Sequence, residues 1–307
     1  MRKAPLAVGR DASRDRFDPH RVKRRTDLRG SRNFKKMEKK LSEAVFAQVC
    51  QRGYAIVERL LPPEQVGEMA AAARRLLPPW DQIRTHPPED RLTNYFFPYP
   101  EPSLNRAIVH REAIAFAQRF LGTRSIHYRP GLLMCTYPGR GGMEFHMDNG
   151  NNSLLPPTSE RRHAQLNFWF YLEDVAEDQA PTLFVADEHA RDQQHAEAFV
   201  APAGSVAIFH NYTWHAASPY RREDGQRYVW KFAFGRADHY WEGVAHYTHV
   251  ARDAHFRSFI AQLPAHEREL FRFPPPDHSC YTREMLSALE EHYPGWNARG
   301  EYEPSDK

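Results

Sequence analysis

The sequence predicts a mainly β protein with flanking helices, built on a jelly-roll core of the double-stranded β-helix (cupin-like) kind. Three observations carry this. After about residue 124 the apolar period drops from near 3.6 to 2, with Gly, Pro and Asp turns between the runs. Helical spacing precedes that block and returns over about the last seventy residues. The 307 residues suit one large domain with elaborated ends. The expected division is a basic, disordered tail over 1–40, a core over 41–236, and a helical C-terminal extension over 237–307 packed on the core.

Taken in order, Leu41, Val45, Phe46 and Val49 fall at helical spacing between Met37 and Gln51, and Gly53 supplies the stop. Tyr54 to Glu58 reads as a short strand. Pro62-Pro63 then opens an alanine-rich helix that ends before Pro78-Pro79. Residues 80–102, rich in Pro, Asp and Tyr, read as a long loop of the kind that walls an active site. Arg111 to Leu121 is a further helix. Strands are expected at Ser125 to Arg129, Leu132 to Tyr137, Ala164 to Leu172, Thr182 to Ala186, Ala198 to Val200, Ser205 to Phe209 and Tyr228 to Phe234. Helical segments at Phe256 to Leu263, His266 to Phe271 and Arg283 to Tyr293 are separated by Pro264 and Pro274 to Pro276, and read as structural cover.

Composition removes several classes of function. The longest apolar runs fall far short of a membrane span, so no membrane partner is expected. The first thirty residues hold no apolar stretch of signal-peptide length, and Cys50, Cys135 and Cys280 show no CxxC spacing. A cytoplasmic protein without disulfides or a thiolate zinc site is the expectation. The net charge of +3 conceals fifteen Lys or Arg against five Asp or Glu in residues 1–40. Arg21 to Arg25 lacks the interleaved aromatics of a nucleic-acid surface, so the tail is read as solvated and nucleic acid as an unlikely partner.

The chemistry concentrates at His146 and Asp148. Two residues apart on an extended segment, they project to the same side, where an imidazole and a carboxylate can meet one metal ion. With 17 His in the chain, an H-x-D triplet is expected about once by chance, so context must decide. His215 follows the apolar strand Val206 to Phe209, from which a returning strand can supply a second imidazole. Arg227 follows Asp224-Gly225, a pair that favours a tight hairpin and so makes His215 and Arg227 neighbours. An arginine there suits a bidentate grip on the distal carboxylate of an acidic cosubstrate.

On the strand from Ala164 to Leu172, Gln165, Asn167, Trp169 and Tyr171 alternate with Leu166, Phe168, Phe170 and Leu172. The second set is core. The first either lines a ligand space, with Trp169 and Asn167 placed at the cosubstrate or a bound water, or faces solvent at a sheet surface. Tyr137 and Met134 are further candidates for the pocket wall, and the polar loop Asn149 to Pro157 for substrate contacts. His127, His163, His189 and His210 read as surface or hydrogen-bonded core residues, with His210 the first substitute ligand should the strand register differ.

The segment Gly53 to Glu58 leading into Pro62-Pro63, the His146-x-Asp148 pair, Trp169 to Asp174, Pro181 to Val185, His215 and Arg227 together resemble the phytanoyl-CoA dioxygenase-like family, over residues 50–236. The resemblance implies a double-stranded β-helix enzyme using Fe(II), with O2 and 2-oxoglutarate as cosubstrates. On that pattern His146, Asp148 and His215 are the iron ligands, Arg227 binds the 2-oxoglutarate carboxylate, and Trp169 is an aromatic near the iron. Where the family shows Pro-Gly-Ser-His after Pro181-Thr182, this chain has Ala186-Asp187-Glu188-His189. Hydroxylation of a small organic molecule, releasing succinate and CO2, is the implied reaction. Asp148 favours it over halogenation, since related halogenases lack that carboxylate. The alternatives are a cupin-like metal enzyme or isomerase that does not use 2-oxoglutarate, which has no need of Arg227, and a nucleic-acid-associated protein.

Overall fold

A computed structural model describes residues 41–147, 165–237, 253–278 and 281–302. Asp148, His163, the loop Asn149 to Pro157 and the basic tail lie outside the described residues.

Strands β1 (Tyr54–Val57), β2 (Leu92–Phe96), β3 (Ile126–Thr136), β4 (Gln165–Tyr171), β7 (Val206–His210) and β9 (Arg227–Arg236) form an antiparallel sheet in the order β1-β7-β4-β9-β3-β2. A smaller sheet holds β5 (Thr182–Val185) between β6 (Glu197–Ala198) and β8 (Trp214–Ala217). Helices cover one face of the large sheet: α1 (Glu43–Arg52), α2 (Pro63–Leu76), α3 (Trp80–Ile83), α4 (Pro102–Ile108) and α5 (Arg111–Leu121), then α6 (Ala254–Ala261), α7 (Ala265–Arg268), α8 (Arg283–His292) and α9 (Ala298–Tyr302).

This layering explains why all seven residues of β4 are buried. Leu166, Phe168 and Phe170 join the helical core together with Trp230, Phe232 and Phe234 of β9. Trp169 and Tyr171 join a second core shared with Phe184 of the small sheet and with Phe199, which directly follows β6. A strand covered on both faces shows no exposed side, so alternation here separates two kinds of interior.

Local signals set the helix ends. Gly53 caps α1 at φ +85°, its N–H bonded to the Val49 carbonyl, and an added Cβ would sit 2.7 Å from the Asp187 carboxylate. Pro63 opens α2 at a position where its missing N–H costs nothing.

Three differences from the sequence reading have physical causes. The stretch 80–102 is not a plain loop: it holds α3 and the edge strand β2, which pairs with β3 from Leu92↔Thr136 to Phe96↔Leu132. Five residues between prolines carry too little periodicity to announce a strand. The two strands expected between Ser125 and Tyr137 are one, β3, with a register shift between Arg129 and Leu132. There the backbone of Lys231 approaches Gly131 so closely that an added Cβ would lie 1.8 Å from its carbonyl oxygen, so the Pro130-Gly131 interruption marks a bulge. Finally, β8 and β9 are not a hairpin. β8 pairs with β5 and β9 with β3 and β4, so the turn at Gly225 (φ +74°) carries the chain from one sheet to the other.

The C-terminal helices dock through aromatics. Phe97 contacts Phe256, Phe259 and Phe271 at 5.9, 6.1 and 6.0 Å between centroids, and Tyr128 of β3 at 5.1 Å.

Candidate active site

His146 reaches the small sheet as an isolated bridge to His215 on β8, with reciprocal N–H···O bonds of 2.9 and 3.0 Å. Residues directly opposite on antiparallel strands present side chains to the same face, so the rings meet, 4.5 Å between centroids at 50°. In each ring Nδ1 faces a carbonyl oxygen two residues earlier in the chain, Glu144 for His146 and Thr213 for His215, both at 2.9 Å. A carbonyl only accepts, so Nδ1 carries the proton and Nε2 the lone pair, the tautomer a metal requires. His215 is buried, held by the ring of Trp169 at 5.4 Å and 87° and by Phe209 at 5.1 Å. His146 is partly exposed. Among the described residues no third His, Cys, Asp or Glu completes a metal-binding group, and Asp148, expected as the third ligand, lies outside them.

Arg227 opens β9 opposite Thr136 of β3 and is 2% exposed. One Nη2 hydrogen is given to Thr136 Oγ1 at 3.3 Å, while Nε and Nη1 have no acceptor among the described residues. Burial pushes the guanidinium pKa down, opposed by Tyr171 and Cys135. Arginine nevertheless stays charged in proteins, and a buried cation with two unanswered donors is costly unless an anion joins it. The Tyr171 ring lies 5.9 Å from the guanidinium, and its hydroxyl bonds Thr182 Oγ1 of β5 at 2.6 Å, linking this corner to the small sheet.

The β4 residues expected at the ligand space point between the sheets. Trp169 stands against His215 on one side and the Lys231 ammonium on the other, 4.4 Å from the ring centroid. Asn167 is 4% exposed; its Oδ1 accepts from Gln165 Nε2 at 3.3 Å and its Nδ2 finds no acceptor among the described residues. Met134 packs against the inner core. Tyr137, expected beside the cosubstrate, faces the helical layer instead: its ring packs on Trp80, and its hydroxyl donates to the Pro78 carbonyl at 2.8 Å and meets Thr93 Oγ1. The reason is parity. Thr136 faces Arg227, so the next residue must face away. His210 is no substitute ligand, because Asp187 takes its Nε2 at 3.0 Å and the Tyr212 N–H its Nδ1 at 3.1 Å.

Sequence reading missed Lys231 and Thr136. Period two along β9 was the available signal: once Arg227 faces inward, Val229 and Lys231 follow it.

The family profile described as phytanoyl-CoA dioxygenase (PhyH) matches residues 49–227. None of the curated proteins matches in sequence. Among solved structures, the non-heme α-ketoglutarate-dependent carbocyclase SnoK of nogalamycin biosynthesis superposes with a TM-score of 0.53 at 19% identity, covering 71% of this chain and 92% of SnoK. The epimerase SnoN of the same biosynthesis gives 0.51 at 17%, covering 66% and 86%. HygX from Streptomyces hygroscopicus, solved with nickel and 2-oxoglutarate bound, gives 0.52 at 12%, covering 64% and 88%. At these identities the structures establish a shared fold, and the profile spans more than half of the sequence. The chain belongs to the phytanoyl-CoA dioxygenase family.

Proposed function

We propose that this protein is an Fe(II)- and 2-oxoglutarate-dependent dioxygenase that hydroxylates a C–H bond of a small organic substrate, with release of succinate and CO2. The observation that carries this reading is the fully buried Arg227, its Nε and Nη1 without acceptors among the described residues, inside a fold in which the Nδ1 atoms of His146 and His215 each face a backbone carbonyl. His146, Asp148 and His215 would hold the iron, and Arg227 the distal carboxylate of 2-oxoglutarate. Bound iron, with oxygen and 2-oxoglutarate, supplies the oxidising power to break a C–H bond.

The chain's own residues orient and exclude. The carbonyls of Glu144 and Thr213 fix the two imidazoles. Trp169, Phe209 and Phe184 wall His215 from water, which protects a reactive centre and strengthens its electrostatics. Thr136 restrains Arg227, so the guanidinium needs little reorganisation to meet a carboxylate. A reducing cytoplasm suits the free thiols of Cys50 and Cys135. Among the described residues no helix is long and apolar enough to cross a membrane. Because SnoK and SnoN are a carbocyclase and an epimerase, cyclisation or epimerisation is the second reading. A product that gains an oxygen atom from labelled O2 distinguishes hydroxylation from both.

Anaerobic addition of Fe(II) and then 2-oxoglutarate is expected to give a visible charge-transfer absorption. Hydrogen bonds to a charged group contribute about 1.5–3 kcal/mol, so Arg227→Ala should raise the half-saturating 2-oxoglutarate concentration roughly ten- to a hundredfold. His215→Ala or Asp148→Ala should abolish oxygen-dependent succinate formation. Iron-loaded wild type that shows no absorption sinks the proposal, and turnover retained in both ligand variants refutes the ligand assignment.

A further inference from the structure

Where β4 begins, the carboxamides of Gln165, Asn167 and Asn211 meet, and each keeps a polar atom unmatched. The three residues are 2%, 4% and 1% exposed. Gln165 stands between the other two: its Nε2 donates to Asn167 Oδ1 at 3.3 Å, and its backbone N–H donates to Asn211 Oδ1 at 3.3 Å. Left over are Gln165 Oε1 as an acceptor and the Nδ2 groups of Asn167 and Asn211 as donors, none with a partner among the described residues. Turning both amides of the Gln165 and Asn167 pair over exchanges their roles and preserves the count, two donors and one acceptor. Buried polar atoms are nearly always matched, so a group of unmatched ones on adjoining side chains points to a ligand that carries the complementary set.

The cluster lies on the far side of the metal-ligand imidazole from the cosubstrate anchor. Along one face of β4, the Tyr171 ring lies 5.9 Å from the Arg227 guanidinium, the Trp169 ring meets His215 at 5.4 Å, and Asn167 and Gln165 come next. Tyr171 and Asn167 are roughly 13 Å apart at about 3.3 Å per residue. A cosubstrate that spans from the metal to Arg227 runs away from Asn167, which leaves the cluster to the other ligand, the primary substrate. Asn211 also begins the turn whose Thr213 carbonyl orients the His215 ring, so a group bound there sits beside the metal position. Across β9, Asn167 and Gln165 face Ala233 and Gly235, which bring no polar side-chain atom to meet them. The cations of this wall have contacts of their own. The Lys231 ammonium rests 4.4 Å from the Trp169 ring centre, and Arg129 lies over Gly235 with its Nη2 on the Arg236 carbonyl at 3.2 Å.

We propose that Gln165, Asn167 and Asn211 receive an uncharged amide group of the primary substrate, a primary carboxamide or a lactam. The proposal rests on the dioxygenase reading and names its substrate class. An amide carbonyl offers two lone pairs to the two asparagine donors, and its N–H, side by side with the carbonyl in a carboxamide or lactam, answers Gln165 Oε1. A carboxylate or an ester brings no hydrogen for that acceptor, and an ammonium brings no lone pair for the donors. A hydroxyl holds both functions on one atom, whereas the unmatched atoms here belong to separate side chains.

The test uses the anaerobic Fe(II)·2-oxoglutarate holoenzyme, with hexanamide, methyl hexanoate and hexanoate as probes. Binding is read by the shift of the charge-transfer band and by saturation-transfer NMR. Hexanamide should half-saturate at a concentration at least about tenfold below either of the others. Asn211→Asp keeps an Oδ1 for the Gln165 N–H but replaces the free donor with an anionic oxygen, and should lose the preference. The double variant Gln165→Met, Asn167→Leu removes both partners of the pair at similar shape, so it should lose the preference while its Tm stays at or above that of wild type. Its half-saturating 2-oxoglutarate concentration should stay within about twofold of wild type. Equal binding of hexanamide and methyl hexanoate overturns the proposal and leaves the unmatched atoms to bound water. A preference for hexanoate overturns it in favour of Arg129 or Lys231. So does a preference for hexanamide that survives in either variant. A lower Tm in the double variant marks the pair as structural, a raised 2-oxoglutarate requirement places it at the cosubstrate, and each of these also overturns the proposal. A band that never forms refutes the dioxygenase reading and the substrate assignment with it; a band without amide preference refutes this proposal alone.

Discussion

At the scale of single residues, burial decides which groups can work. Arg227 and His215 are both almost inaccessible; the Thr213 carbonyl orients the imidazole and the Thr136 hydroxyl the guanidinium. His127 on β3 shows the opposite use of burial. Partial burial and the charges of Arg129 and Arg272 push its pKa down to about 4, so it folds as the neutral imidazole. In the unfolded chain it titrates near the ordinary value of about 6.5, so protonation favours unfolding. Its contribution is complete above that pH and is lost as pH falls from about 6.5 to about 4. Urea midpoints should therefore drop more for wild type than for His127→Gln between pH 7 and pH 4.5. Parallel lines for the two proteins would show that His127 carries no such linkage.

At the scale of elements, β3 and β9 show how one irregularity sets a wall of the site. Across their ladder, Arg227, Val229 and Lys231 oppose Thr136, Met134 and Leu132. The bulge at Arg129 to Leu132 holds that parity against the rest of β3, and Gly131 permits it because the Lys231 carbonyl occupies the space of a side chain. Gly131→Ala should force the strands apart and destabilise the protein by more than about 2 kcal/mol, read as a fall in Tm. A variant as stable as wild type would mean the bulge relaxes freely. Parity also marks which readings were available from sequence. Met134 and Tyr137 are three apart, so on one strand they cannot share a face; both stood as pocket residues, and only Met134 packs in the inner core.

At the scale of the whole molecule, the large sheet is shared between two interiors, one greasy and helical, one narrower and chemical. The extension joins the first through Phe97, whose ring meets Phe256, Phe259, Phe271 and Tyr128. Phe97→Ala should cost about 3–5 kcal/mol in equilibrium unfolding, the usual result of removing a buried phenylalanine; a loss below about 1 kcal/mol would show that the extension docks by other contacts. Much of this plan was legible in the chain. The alternation of Gln165, Asn167, Trp169 and Tyr171 with Leu166, Phe168 and Phe170 declared two faces, Gly53 and Pro63 marked helix ends, and the order of His146, His215 and Arg227 carried the family. These features depend on neighbours within a turn or a pleat, which sequence records directly. The tertiary structure alone decided that β8 and β9 belong to different sheets, that Leu92 to Phe96 is a strand, that Tyr137 turns to the helices, and that Lys231 shares a wall with Asn167. Each of those depends on which distant strand supplies the hydrogen bonds and the burial, a choice made by the whole core rather than by any local pattern.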